Sequence, residues 1–155
     1  METGILHLHS ILRYLILLVA LWAILQMASG LNGKKVFSKA DKRPALLFLI
    51  LMDLQLLAGL FLYFAGAWGW TSIRSYGMAA VMRNDMTRFF ALEHEVGMVI
   101  ALILVHAGYA ATKRNISDQK KFSRAFWLFL VAFLFILSFI PWPFRESLGR
   151  GWMPA

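Results

Sequence analysis

Residues Phe89–Lys113 read FFALEHEVGMVIALILVHAGYAATK, an apolar run that opens on the triplet Glu93-His94-Glu95 and carries a second histidine, His106. A helix needs about 20 apolar residues to cross a hydrocarbon core of about 30 Å, and this run is long enough. Ionisable side chains inside such a run are costly, which marks the stretch as a candidate functional segment. Three further runs of similar length flank it. The spans are expected at about 5–29, 45–68, 89–112 and 125–140, within a single domain covering residues 1–155.

The composition agrees with this reading. Of 155 residues, 60% are hydrophobic and 15% charged, against about half and a quarter in a soluble domain. No cysteine is present, which excludes a thiolate-held iron–sulfur cluster, a c-type haem attachment and disulfides. The N-terminus, METGILHLHS, has an acid and no base before its apolar run, unlike a signal peptide, so span one reads as a retained helix.

The formal net charge is +8, but its distribution argues against nucleic acid. All seven lysines lie in two short segments, 32–44 and 113–124, which with their arginines hold ten basic residues against Asp41 and Asp118. Basic loops between apolar spans signify orientation and contact with anionic lipid. The positive-inside rule places both loops in the cytoplasm and both termini outside. Trp68, Trp70, Phe89, Phe90, Trp142 and Trp152 then gather at the outer interface as an aromatic belt. Short connections make neighbouring spans antiparallel, so the expected fold is all-α: an integral membrane up-down four-helix bundle with both termini periplasmic. Within the long connector, Tyr76–Met86 is a candidate interfacial helix, interrupted by Gly77.

At a rise of about 1.5 Å per residue, His7 and His9 lie near the outer end of span one, and His94 at similar depth in span three. A b-type haem in a four-helix bundle needs two imidazoles on different helices, opposed across the iron. His9 and His94 meet that requirement. Because His7 and His9 point in different directions, only one of them faces the bundle, and His7 stays open as the alternative ligand. Arg13 shares a face with His9 and suits the carboxylates of such a macrocycle. Glu93 or Glu95 is a candidate to orient a ligand histidine through its second nitrogen. Below His94, the face formed by Gly97, Met98, Ala101, Val105 and Gly108 is small and apolar, as the edge of a flat cofactor requires. A zinc or copper site built from His7, His9 and the Glu93-His94-Glu95 triplet is the metal alternative, although adjacent helical residues diverge by about 100°.

His106 lies about 18 Å deeper than His94 and is rotated by about 120° around the helix, which does not suit a second haem stacked below the first. Its expected partner is Asp53 in span two, since an unpaired carboxylate at that depth is costly. This pair has two readings: a clamp between helices, or a proton relay or polar wall of a quinone pocket.

The stretches HLHSILRYLILLVALW, DLQLLAGLFLYF and EHEVGMVIALILVHAGYA together resemble a family of small four-span bacterial membrane proteins labelled cytochrome b-like. The resemblance implies haem b in the bacterial inner membrane and electron exchange with a quinone or partner subunit, with His9 and His94 as iron ligands and Arg13 beside them. The chain departs from larger respiratory cytochromes b, which place paired histidines on each of two helices. It is therefore expected to be an electron-transfer protein or subunit, in contact with lipid and with other subunits or copies of itself, and not a stand-alone enzyme. Two alternatives from other classes are a non-redox accessory subunit of a membrane complex and a proton-coupled carrier or channel using Asp53 and His106.

Overall fold

The computed structural model describes residues 2–152, and these contain no strand. Seven α-helices succeed one another: α1 Glu2–Ala28, α2 Lys39–Ala65, α3 Trp70–Tyr76, α4 Met78–Arg83, α5 Asp85–Arg88, α6 His94–Lys113 and α7 Asp118–Phe139. A π-helical turn, Phe89–Glu93, joins α5 to α6. Four stretches, Glu2–Ala28, Lys39–Tyr76, Asp85–Lys113 and Asp118–Phe139, are long and apolar enough to cross a membrane, as a multi-pass membrane protein requires.

Two helices start earlier than the sequence pattern suggests. α2 begins at Lys39 rather than after Pro44, because Ser38 and Asp41 form a capping box. Ser38 Oγ accepts from the Asp41 N–H while the Asp41 carboxylate accepts from the Ser38 N–H. This reciprocal cap satisfies two end groups, outweighing the single hydrogen bond lost at Pro44. α7 begins at Asp118 after Ser117, so Lys120, Lys121 and Arg124 lie on its first turns and not in a loop. The connector forms three short helices, α3 to α5, the first two hinged at Gly77, whose φ of 76° is one that side-chain-bearing residues avoid.

The long helices close one contiguous core. α1 packs on α2 and α7, and α6 packs on the other sides of the same two. Ile16, Ala20, Ala23, Phe48, Ala101, Val105, Phe129 and Ala132 are buried at its centre. Glycines meet aromatic rings at the α6–α7 seam: a Cβ on Gly97 would overlap the Phe139 ring, and one on Gly108 would overlap Phe129. The small-residue face of span three is thus corrected. Gly97 and Gly108 receive rings of α7 instead of edging a cofactor, because close helix approach in an apolar medium depends on such complementarity.

The two ends of the molecule are distinct. At the loop end, Gln119 Nε2 donates to Leu31 O, joining the two lysine-bearing connections. At the terminal end, Arg13 Nη2 and Tyr14 Oη both donate to Trp152 O, at 2.8 and 2.6 Å, which folds the C-terminal tail back over α1. The expected aromatic cluster forms here, with Trp68 against Phe90 and Trp142 against Trp152.

Candidate functional site

A cavity of about 560 Å³ opens in the terminal half of the bundle, between α1, α2, α6 and the folded-back tail. That volume lies within the range of about 300–1,000 Å³ typical of small-molecule and cofactor sites. Its walls are mainly apolar, with Ile16, Met52, Leu62, Met98, Ile136 and Phe90 among them. The polar groups it gathers include His9, Arg13, Gln55, His94 and Arg150.

His94 reaches this wall from the first residue of α6, immediately after the π-helical turn. There the His94 N–H bonds back to Phe89 O, five residues earlier, so the helix is locally wider than an α-helix. Such turns shift the register of the residues after them and recur at functional sites. His94 Nδ1 sits 2.7 Å from Phe139 O. A carbonyl only accepts, so the proton is on Nδ1, and Nε2 is left with its lone pair. Fixing one imidazole nitrogen on a backbone carbonyl is how a metal-ligating histidine is commonly oriented.

His9 enters from α1 on the opposite wall. Its ring centre is 6.3 Å from that of His94, with the planes inclined at 62°. Two imidazoles on opposite sides of one ion, each nitrogen about 2 Å from it and in line, have ring centres about 6 Å apart once half a ring is added on each side. Gly59 of α2 makes room for the His9 ring: a Cβ there would lie 3.4 Å from His9 Cε1. Gln55 Nε2 donates to His9 O at 3.0 Å, tying this turn of α1 to α2.

Three buried side-chain polar atoms lack a hydrogen-bond partner among the described residues: His9 Nδ1, Arg13 Nε and Gln55 Oε1. All three residues line this one cavity. Buried polar atoms in native proteins are nearly always partnered, so each exception calls for an explanation, and a site that binds a ligand is one. Arg150, a residue not singled out from sequence, joins them from the tail. Its guanidinium lies 5.1 Å from the ring centre of Trp68 and 4.9 Å from that of Phe90, and burial lowers its pKa from the ordinary value. Among the described residues neither Arg13 nor Arg150 pairs with a carboxylate. The contribution of Arg150 was hidden because nothing local in the tail sequence shows that the tail turns back over the cavity.

Other candidates fall elsewhere. Glu93 and Glu95 are the sequence candidates to orient a ligand histidine; for His94 Phe139 O accepts that bond, while Glu93 pairs with Arg88, 2.6 Å away. Glu95 lines the cavity, as does Glu2. His7 is outside the residues that line it, so the structure brings His9 and His94 together and leaves His7 apart. No group of three or more His, Asp or Glu side chains converges with metal-ligating geometry among the described residues, so the zinc or copper arrangement lacks its third ligand. Asp53 and His106 do meet, His106 Nε2 lying 2.8 Å from Asp53 Oδ1 between α2 and α6. They lie outside the cavity.

No family model, curated protein or solved structure matches this chain, so the geometry itself carries the functional reading.

Proposed function

We propose that this chain is a b-type cytochrome-like electron-transfer protein of the bacterial inner membrane. It would hold one haem between His9 and His94 and exchange electrons with a quinone or a partner subunit. The observation that carries the reading is the coincidence of all three unpartnered buried polar atoms with the cavity that joins the two histidines. The residues fit the group: two imidazoles at a spacing suited to one shared ion, apolar walls including Met52 and Met98, and two unpaired guanidiniums for its carboxylates. When bound, the iron supplies reversible one-electron chemistry. His94 presents Nε2 because Phe139 O holds its other nitrogen, while Arg13 and Arg150 set the charge around the site.

The lysine-bearing connections at one end and the aromatic cluster at the other support an up-down bundle with loops 32–44 and 113–124 cytoplasmic and both termini periplasmic. The site then lies near the outer face. One haem at that depth serves local electron exchange, with a partner needed for passage across the bilayer.

The test is a dithionite-reduced minus air-oxidised spectrum of purified, haem-supplied protein, beside His94→Ala. A sharp b-type α band that disappears in the variant is the expected result. A flat spectrum from folded wild-type protein overturns the reading and leaves the accessory-subunit alternative, which needs no chromophore.

A further inference from the structure

The Asp53–His106 pair has a feature that neither the haem site nor a simple clamp accounts for. Its side chains are 42% and 50% exposed, although they sit near the middle of α2 and well inside α6. Their surroundings are apolar and outward-facing: Leu57 and Ile103 are 64% and 61% exposed, with Ile50, Val99 and Leu60 alongside. A helical clamp in lipid turns its polar atoms inward, because an ionisable group facing hydrocarbon is costly. Here the polar atoms face out.

The chemistry of the pair says what could cover them. An imidazolium has two N–H donors, and a carboxylate has two acceptor oxygens. The bond between His106 Nε2 and Asp53 Oδ1 uses one of each. Among the described residues, His106 Nδ1 and Asp53 Oδ2 have no other partner. With a proton on each imidazole nitrogen, each copy presents one spare donor at His106 Nδ1 and one spare acceptor at Asp53 Oδ2, side by side at a single depth. That patch is complementary to itself under a twofold rotation about the membrane normal, the operation that relates two copies inserted in the same orientation. Self-complementarity of this kind, with residue i meeting j and j meeting i, is the requirement of an isologous interface. Ala107 and Ala110 beside His106 are small and outward-facing, and they allow the second copy to approach closely.

We propose that the face of α2 and α6 centred on Asp53 and His106 is covered by a second copy of this chain. The two Asp53–His106 pairs then form a four-membered polar cluster, His106 of each copy meeting the partner's Asp53. This inference rests on the membrane-spanning helices and stands independently of the haem reading.

The absence of cysteine simplifies the test, since a single introduced thiol has no disulfide partner within its own chain. Leu57→Cys, Ile103→Cys and Ala110→Cys, each in the full chain in native membranes, are oxidised in parallel with Leu18→Cys and Leu134→Cys on the α1–α7 side. Disulfide-linked dimers are expected from at least one of the first three and from neither of the last two. Adding Asp53→Asn or His106→Ala to the linking variant is expected to weaken association by about tenfold. Native mass measurement of the unaltered protein released from lipid vesicles is expected to give two copies. A single-copy mass with no linked dimer overturns the proposal, as does preferential linking through Leu18 or Leu134. Dimers that keep their strength after both polar substitutions overturn the role of the pair. A copurifying protein that links in place of the second copy replaces the proposal with a heteromeric one.

Discussion

The two ends of this bundle handle buried polarity in opposite ways. At the loop end, Asp41 is almost wholly buried, yet its carboxylate accepts from Gln26 Nε2, from the Ser38 hydroxyl and backbone N–H, and pairs with Lys35. Every acceptor site is occupied by the chain's own groups. At the terminal end, His9, Arg13 and Gln55 each keep a buried atom without a partner around a cavity of about 560 Å³. A fully satisfied buried network rigidifies a fold, whereas a partly satisfied one at a cavity is the mark of a place prepared for something else. The loop end holds the helices together, and under the proposed function the terminal end receives the cofactor.

Substitutions at each end separate these roles. His9→Ala is expected to abolish the b-type band of haem-supplied protein while leaving the circular dichroism of the bundle intact; His7→Ala, checked in the same spectra, should leave the band unchanged. If His7→Ala removes it instead, the ligand assignment on α1 is wrong. Asp41→Ala is expected to act the other way. It should lower stability by about 3 kcal/mol, at the low end for a broken buried ion pair because Lys35 is partly exposed, and leave the absorption of the surviving folded protein alone. A denaturation series in mild detergent reads that loss.

Gly97→Ala tests the link between packing and site. Its methyl group would overlap the Phe139 ring, and Phe139 O is the acceptor for His94. A cost of about 2 kcal/mol is expected, together with a shifted α band, because overpacking moves backbone as well as side chains. Gly59→Ala, with 3.4 Å to the His9 ring, should be tolerated far better. Last in size, Arg13→Gln or Arg150→Gln should each weaken haem binding by about tenfold, the value of one charge-assisted contact, as measured by haem titration. An unchanged affinity in both would remove the guanidiniums from the site.

Much of this architecture was legible in the residue pattern. Four apolar runs and two lysine-bearing connections anticipate four membrane-length helices, because hydrocarbon thickness imposes one length scale on any spanning helix. His9, His94 and Arg13 could be singled out for the same reason: polar groups in an apolar run stand out. The contact of Asp53 with His106 was likewise anticipated from depth, which rises uniformly along a helix.

The features that the pattern could not show depend on direction and on distant chain. Gly97 and Gly108 share a plausible cofactor face on a helical wheel, but rings from α7 occupy it. Glu93, at the end of a π-helical turn that no residue type announces, pairs with Arg88. Arg150 reaches the cavity because the tail turns back: its N–H donates to Pro141 O, and Trp152 O accepts from Arg13 and Tyr14, 139 and 138 residues away in the chain. Periodicity and depth are properties of one helix in one apolar medium, so the amino-acid order carries them directly. Which faces meet, which polar atoms are left over and where the tail returns are properties of all the helices at once, and those emerged with the packed bundle.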